Sequence, residues 1–249
     1  LVGSRFSRPV VLRAAIAPGL ALLALAAAAP VVIRGAEGRR QEACIANQRQ
    51  VAAAFGLYAQ DYDEHLPLAS MPITPITWTV SVRPYLKNNA ALRCPADRSN
   101  DWTLPYDMLP DPHDEATTGG QDAYRVSSYF FNLWLSGSRK YGKIASIKNP
   151  AKVIMLTEST ESITRDHFHA PYWNADDAEA KALPGYDPMM RGFVWDEAKQ
   201  EPEEIAIRRH NGGFNSIYVD GHARWAKWSQ LWYVDEPHHI FEGAFDPRQ

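Results

Sequence analysis

The chain has 249 residues, room for one apolar membrane-type segment and one globular domain of ordinary size, and its 8 Trp, 11 Tyr and 9 Phe supply enough aromatic surface for a substantial core. Charge is divided unevenly: residues 1–40 hold Arg5, Arg8, Arg13, Arg34, Arg39 and Arg40 against Glu37 alone, whereas the whole chain carries −3, leaving −8 on the remainder. An acidic folded part lacks the basic stripe of a nucleic-acid binder, so no nucleic-acid partner is expected.

Residues 9–33 (PVVLRAAIAPGLALLALAAAAPVVI) are almost wholly apolar. As a helix rising 1.5 Å per residue they span about 37 Å, enough to cross the hydrocarbon core of a bilayer. The flanking arginines favour the cytoplasmic side during insertion. Arg5, Arg8 and Arg13 ahead of an Ala/Leu run that ends in Ala26–Ala29 also fit a secretory signal. A first residue of Leu1 fits loss of an upstream segment. Retention of the apolar stretch favours anchoring or polymerisation over simple secretion. Proline inside a helix removes a hydrogen bond, so kinks are expected near Pro18-Gly19 and Pro30. Gly35 and Gly38 weaken the junction to the next part.

From about Gln41 the period is helical. Ile45, Ala52, Phe55, Tyr58, Ala59, Tyr62 and Leu66 form one stripe, with Gln48, Arg49, Gln60 and Asp61 largely off it and Pro67 as terminator. Such a stripe docks on a sheet. Pro72, Pro75 and Pro84 mark irregular chain with a short helix over Thr79–Leu86. Arg98–Tyr124, rich in Asp, Pro and Gly, reads as a surface loop, and Arg165–Gln200 as a second turn-rich excursion. Ser127–Leu135 and Lys152–Leu156 read as strands. In Gly213–Trp228, Ile217 and Val219 alternate with Ser216 and Tyr218, Asp220-Gly221 predicts a type I′ hairpin turn, and Ala223 and Trp225 continue on the return strand. The order, one long helix with a kinked apolar first half, then loops and strands, predicts an α+β fold with the helix on an antiparallel sheet. The divisions read as residues 1–36, 37–68 and 69–249.

Cys44 and Cys94 in an exported domain predict one disulfide, closing a loop of about 50 residues and contributing about 4 kcal/mol on the chain-entropy estimate. The alternative is two buried free thiols. His210, Asp220 and His222 are weak metal candidates, because four ligands are not visible together, and no metal is expected there. Asp61, Asp63 and Glu64 could bind Ca²⁺ through carboxylate oxygens, but their spacing lacks the Gly and terminal Glu of a calcium loop, and solvated surface charge accounts for them. His167, His169, His238 and His239 read as surface residues. Trp225, Trp228, Trp232 and Tyr233 read as core and subunit contact rather than a sugar platform. The chain has no Gly-rich phosphate loop, Gly-x-Ser-x-Gly or His-Glu-x-x-His, and no enzyme is expected.

Several motifs stand in a characteristic order: Cys44-Ile-Ala-Asn47-Gln48-Arg49-Gln50, Tyr58-Ala-Gln-Asp61-Tyr-Asp63, Leu66-Pro67, Arg93-Cys94-Pro95-Ala-Asp97, Ser128-Tyr129 with Asn132, the Val153–Glu158 strand, and His210 followed after nine residues by Asp220-Gly221. Over about residues 40–230 this series resembles the bacterial type IV pilin-like and type II pseudopilin-like proteins that carry a C-terminal His-x9-Asp-Gly domain. The resemblance implies a structural subunit of an extracellular helical filament. Its apolar half-helix sits first in the cytoplasmic membrane and then packs with identical copies as the filament core. The core residues would be Val10, Val11, Leu12, Ile16, Leu20, Leu22, Leu23, Leu25, Val31, Val32 and Ile33. Pilus or type II secretion machinery is the implied assembly partner, and the one cofactor the resemblance implies is Ca²⁺, which other pseudopilins bind in a C-terminal loop and for which the acidic loops Asp107–Asp122 and Asp176–Glu179 are the places here. Arg5 stands where the family's mature chains carry an acidic fifth residue. A minor pseudopilin or membrane-anchored component of a secretion apparatus is the alternative reading. A membrane-tethered metal-dependent or ligand-binding domain is a second alternative.

Overall fold

The computed structural model describes residues 35–69, 77–99, 125–137, 139–163, 165–232 and 243–248 in full, and residues 10–34 only as helical backbone. The chain divides into two compact units, Leu1–Arg39 and Arg40–Gln249. Helix α1 (Val10–Asp61) therefore supplies residues 40–61 to the folded unit. The kinks expected at Pro18-Gly19 and Pro30, the apolar side chains from Val10 to Ile33, most of the Arg98–Tyr124 loop, Tyr233 and His238-His239 lie outside the fully described residues. Among the described residues, no helix is long and apolar enough to cross a membrane.

Within the folded unit, α1 buries Cys44, Gln48, Val51, Ala52, Phe55 and Ala59, spaced three and four apart as one helical face requires. This corrects the predicted stripe: Ile45 is half-buried, Tyr62 is exposed, and Gln48 points inward. The face was misread because its first two inward residues meet polar partners, which hydrophobic periodicity cannot register. The helix stops at Asp61, before Pro67. Asp63 and Glu64 take left-handed backbone (φ 52° and 63°), and the Glu64 N–H closes onto the Ala59 carbonyl at 2.8 Å, as in a left-handed C-cap. The following Leu66-Pro67 segment crosses Gly137 closely. The Gly137 N–H donates to the Pro67 carbonyl at 3.0 Å, and a Cβ on Gly137 would lie 2.1 Å from the Leu66 oxygen.

The five-stranded sheet has the order β3-β1-β2-β6-β7, built from β1 (Tyr129–Asn132), β2 (Ile154–Glu158), β3 (His167–Phe168), β6 (Phe214–Tyr218) and β7 (Ala223–Ala226). All pairings are antiparallel except β1 with β3, which are parallel at the edge. The fold is thus α+β, with residues 40–61 of α1 packed on a mostly antiparallel sheet; Phe55 meets Phe131 of β1 at a ring separation of 5.4 Å and Trp78 at 5.3 Å. Trp78 opens α2 (Trp78–Val82), which with a 3₁₀ turn at Arg83–Tyr85 realises the short helix predicted there. Strand β1 is shorter than Ser127–Leu135, because the Asn132 side chain accepts from the Trp134 N–H at 3.1 Å and turns the chain into a 3₁₀ helix over Leu133–Leu135.

Residues 165–200 are turn-rich but not peripheral. They carry β3, contribute the buried Phe168, Trp173 and Trp195, and form with β5 (Glu201–Pro202) the small second sheet in which β4 (Trp195–Asp196) pairs antiparallel. Trp173 sits within 5.1–5.9 Å of the rings of Phe168, Trp195, Trp228, Trp232 and Phe245. Trp228 and Trp232 are accordingly core-facing, as predicted.

The β6–β7 hairpin forms with Phe214 opposite Ala226 and Ile217 opposite Ala223, but its turn is not type I′. Only Gly221 has positive φ (88°). The Gly221 N–H donates to the Tyr218 carbonyl at 2.9 Å and the Tyr218 N–H to the His222 carbonyl at 3.0 Å. This is a three-residue loop with a left-handed glycine bulge. The geometry with two successive positive φ values occurs instead at Asn211-Gly212 (52° and 76°), between reciprocal backbone hydrogen bonds of 2.8 and 3.0 Å joining His210 and Gly213.

Candidate functional site

The tight Asn211-Gly212 turn aims His210 inward. There it meets residues from three other segments: Cys44 on α1, Cys94 in the loop after a 3₁₀ helix at Asn89–Leu92, and Glu158 at the end of β2. All four are buried, and their ligand-type atoms lie within 4.8 Å of one another. Cys44 Sγ donates to Glu158 Oε1 at 2.8 Å. His210 Nε2 lies 3.0 Å from the same oxygen and 3.4 Å from Cys94 Sγ.

A shell of backbone and amide groups holds these side chains. The Asn215 backbone N–H donates to Glu158 Oε2 at 3.0 Å and its side-chain amide to Oε1 at 3.3 Å. Tyr129 Oη is 3.5 Å from Cys44 Sγ, and the Ala96 N–H donates to Cys94 Sγ at 3.4 Å. Gln48, one helical turn from Cys44, donates to the Asn215 carbonyl at 3.3 Å. Asn47 donates to the Arg93 carbonyl at 2.9 Å, tying the Cys94 loop to α1. The Trp225 indole N–H donates to the His210 carbonyl at 2.7 Å.

A second buried polar group supports the Cys94 loop. Asp97 accepts from the Arg125 Nε at 2.9 Å and from Ser128 Oγ at 2.6 Å, and Ser128 Oγ accepts from the Cys94 N–H at 2.9 Å. Arg125 also donates to the carbonyls of Ser159 and Thr160, so its charge is satisfied on several sides.

Burial raises the Cys44 thiol far above its ordinary range, with Cys94 and the Glu158 charge adding to the effect. The hydrogen bond with Cys44 lowers Cys94 to about 7, against the opposing effect of burial and with help from His210. Burial alone would depress His210, but its bonds to Cys94 and Glu158 outweigh that and raise it to about 10. Burial likewise pushes Glu158 up, yet His210 and Arg209 hold it below the usual carboxylate range. The centre is therefore a thiol, a thiolate-prone sulfur, an imidazolium and a carboxylate enclosed together. Its donors suit a closed ion-binding or structural centre.

The predicted motif residues Cys44, Cys94 and His210 converge here, and Glu158, which the sequence marked only as a strand end, completes the group. The predicted disulfide is not formed: both cysteines are free, with Cys44 Sγ held by Glu158 and Cys94 Sγ by His210 rather than at bonding distance from each other. The triad of His210, Asp220 and His222 does not assemble. Asp220 and His222 lie at the exposed hairpin tip and pair with each other at 2.6 Å, while His210 turns into the core. His167 and His169 are not surface residues: each is only 6 % exposed, because β3 is inserted beside β1, and they pair with Asp166 at 2.7 Å and Glu204 at 2.9 Å.

Among the described residues, none of the predicted calcium sites gathers three ligands. Asp61 accepts from Tyr85, Asp177 caps a helical turn and pairs with Arg248, and the Asp107–Asp122 segment lies outside the described residues. Glu158 is marked in sequence only as the one acid in a strand otherwise apolar or Thr, whereas His210 is marked by its spacing to Asp220-Gly221.

No family model, curated protein or solved structure matches this chain.

Proposed function

We propose that this chain is a pilin-like structural subunit of an extracellular helical filament, inserted in the cytoplasmic membrane before assembly and polymerised through the apolar N-terminal half of its long helix. One observation carries the reading: the last part of α1 is committed to the sheet by a buried face, while the preceding sequence, residues 9–33, is almost wholly apolar. Identical copies can cover one another, at about 25 cal/mol per Å² of apolar surface removed from water. The motif series supports the same reading, since its Cys44, Asn47, Gln48, Cys94 and His210 hold the helix–sheet junction rather than an open cleft, with Asp97 and Ser128 supporting the Cys94 loop. Pilus or type II secretion machinery is the proposed assembly partner.

Electron microscopy of native cell-surface material, with antibody against the folded unit, tests this. Continuous fibres built of this chain are the expected result, and Leu22→Asp with Leu23→Asp abolishes them. Monomers that stay dispersed without detergent and with residues 1–39 intact overturn the reading. Fibres in which this chain is a scarce component reassign it as a minor pseudopilin.

A further inference from the structure

We propose that Cys44, Cys94, Glu158 and His210 form a closed four-ligand zinc site that fastens α1 to the sheet. Zinc bound by sulfur at about 2.3 Å and by nitrogen or oxygen at about 2.0–2.2 Å sets tetrahedral ligand–ligand edges of about 3.3–3.8 Å. The observed separations of 2.8, 3.0 and 3.4 Å, with every pair inside 4.8 Å, need only small side-chain adjustments to reach those edges. Two cysteines with an imidazole and a carboxylate select zinc over the hard cations, which take oxygen ligands. Burial of all four residues is the hallmark of a structural centre rather than one with a position open to substrate.

The surroundings match as well. Asn215 orients both carboxylate oxygens of Glu158, and the Ala96 N–H points at Cys94 Sγ, the kind of outer contact that fixes metal ligands. The ligands come from α1, the Cys94 loop, β2 and the turn before β6, so one ion joins four segments distant in sequence. Binding sends the thiol and imidazolium protons to solvent, and the divalent cation offsets two of the three negative charges of two thiolates and a carboxylate, whose burial is otherwise costly. The competing use of the same sulfurs is a disulfide, which needs them about 2.05 Å apart and takes Cys44 from Glu158 and Cys94 from His210. The zinc site lies wholly within residues 40–249 and does not depend on the filament reading.

The test uses the full chain, purified in detergent without chelator or reductant. Elemental analysis is expected to return one zinc per chain, and thiol titration after denaturation two free thiols. Replacement by Co²⁺ is expected to produce thiolate-to-cobalt charge transfer and the visible bands of a tetrahedral site. His210→Cys, which preserves four ligands, keeps the metal, whereas Cys94→Ser and His210→Ala lose stoichiometric binding. Should those two variants fail to fold, the wild-type cobalt spectrum decides alone. A Cys44–Cys94 disulfide, two free thiols with no zinc taken up by folded protein, or stoichiometric zinc retained in folded Cys94→Ser overturns the site.

Discussion

The helix–sheet junction and the tryptophan block are built on opposite physics. At the junction a few buried polar groups hold one another: Cys44, Glu158, His210 and Asn215, with Asp97 and Arg125 behind them. Around Trp173 the contacts are aromatic rings from the 165–200 excursion, the segment after β7 and Phe245. Buried polar groups that satisfy one another tolerate few arrangements, so the junction specifies how residues 40–61 of α1 sit on the sheet. Aromatic rings bury 150–250 Å² each and are non-directional by comparison, so the block supplies stability without dictating register.

That contrast can be broken by substitution. The largest expected loss is in the aromatic block: Trp173→Ala should cost about 3–5 kcal/mol, read by chemical denaturation, and Trp173→Leu visibly less, because the site tolerates any large apolar group. Equal losses would mean that the block is as specific as the junction. Next comes the ion pair behind the junction. Arg125→Met takes the nearest guanidinium from the buried Asp97, leaving it Ser128, the Ser99 N–H and Arg209 at 3.9 Å, and should cost about 3 kcal/mol, while adding Asp97→Leu should recover part of that, since replacing both members of a buried pair is cheaper than removing one. No recovery would show that the pair does more than satisfy itself.

A smaller effect is expected at the turn that aims His210. Gly212 has φ 76° and open space around it, so Gly212→Ala should cost about 1–2 kcal/mol through backbone strain alone. The matching change at Gly192, which has open space and no such φ, should cost less.

His169 allows a pH test. Burial lowers its pKa, with Glu204 opposing, so the folded state keeps the imidazole neutral where the unfolded chain protonates it. Below about pH 6.5 the unfolded chain binds the extra proton, and stability falls as pH falls. In His169→Gln that part of the pH slope should vanish; an unchanged slope refutes it. The smallest effect belongs to the exposed hairpin tip, where His222→Ala should change stability by less than about 0.5 kcal/mol.

Much of the architecture is legible from local chemistry. Helical periodicity after Gln41, the strands at Tyr129–Asn132 and Ile154–Glu158 and the hairpin around Gly221 all follow from rules that act within a few residues. The turn assignments show the limit of such rules. Asp220-Gly221 and Asn211-Gly212 carry the same local signal, and the difference lies in the strands they join: β6 and β7 leave three residues between paired ends, whereas His210 and Gly213 leave two.

Residue types alone set the division between a basic, apolar N-terminus and an acidic folded remainder, the helix-then-strands order and the presence of two cysteines, because hydropathy and charge are properties of each residue wherever it lies. Tertiary structure alone decided that Cys44 and Gln48 face inward, that His167 and His169 are buried, and that Glu158 joins two thiols and His210 instead of Asp220 and His222 joining it. The reason is distance along the chain. Positions 44, 94, 158 and 210 share no local spacing, and only the pairing of β2 with β6 beneath α1, with the Cys94 loop tied to α1 by Asn47 and to Ser128 before β1, brings them within one ion's reach.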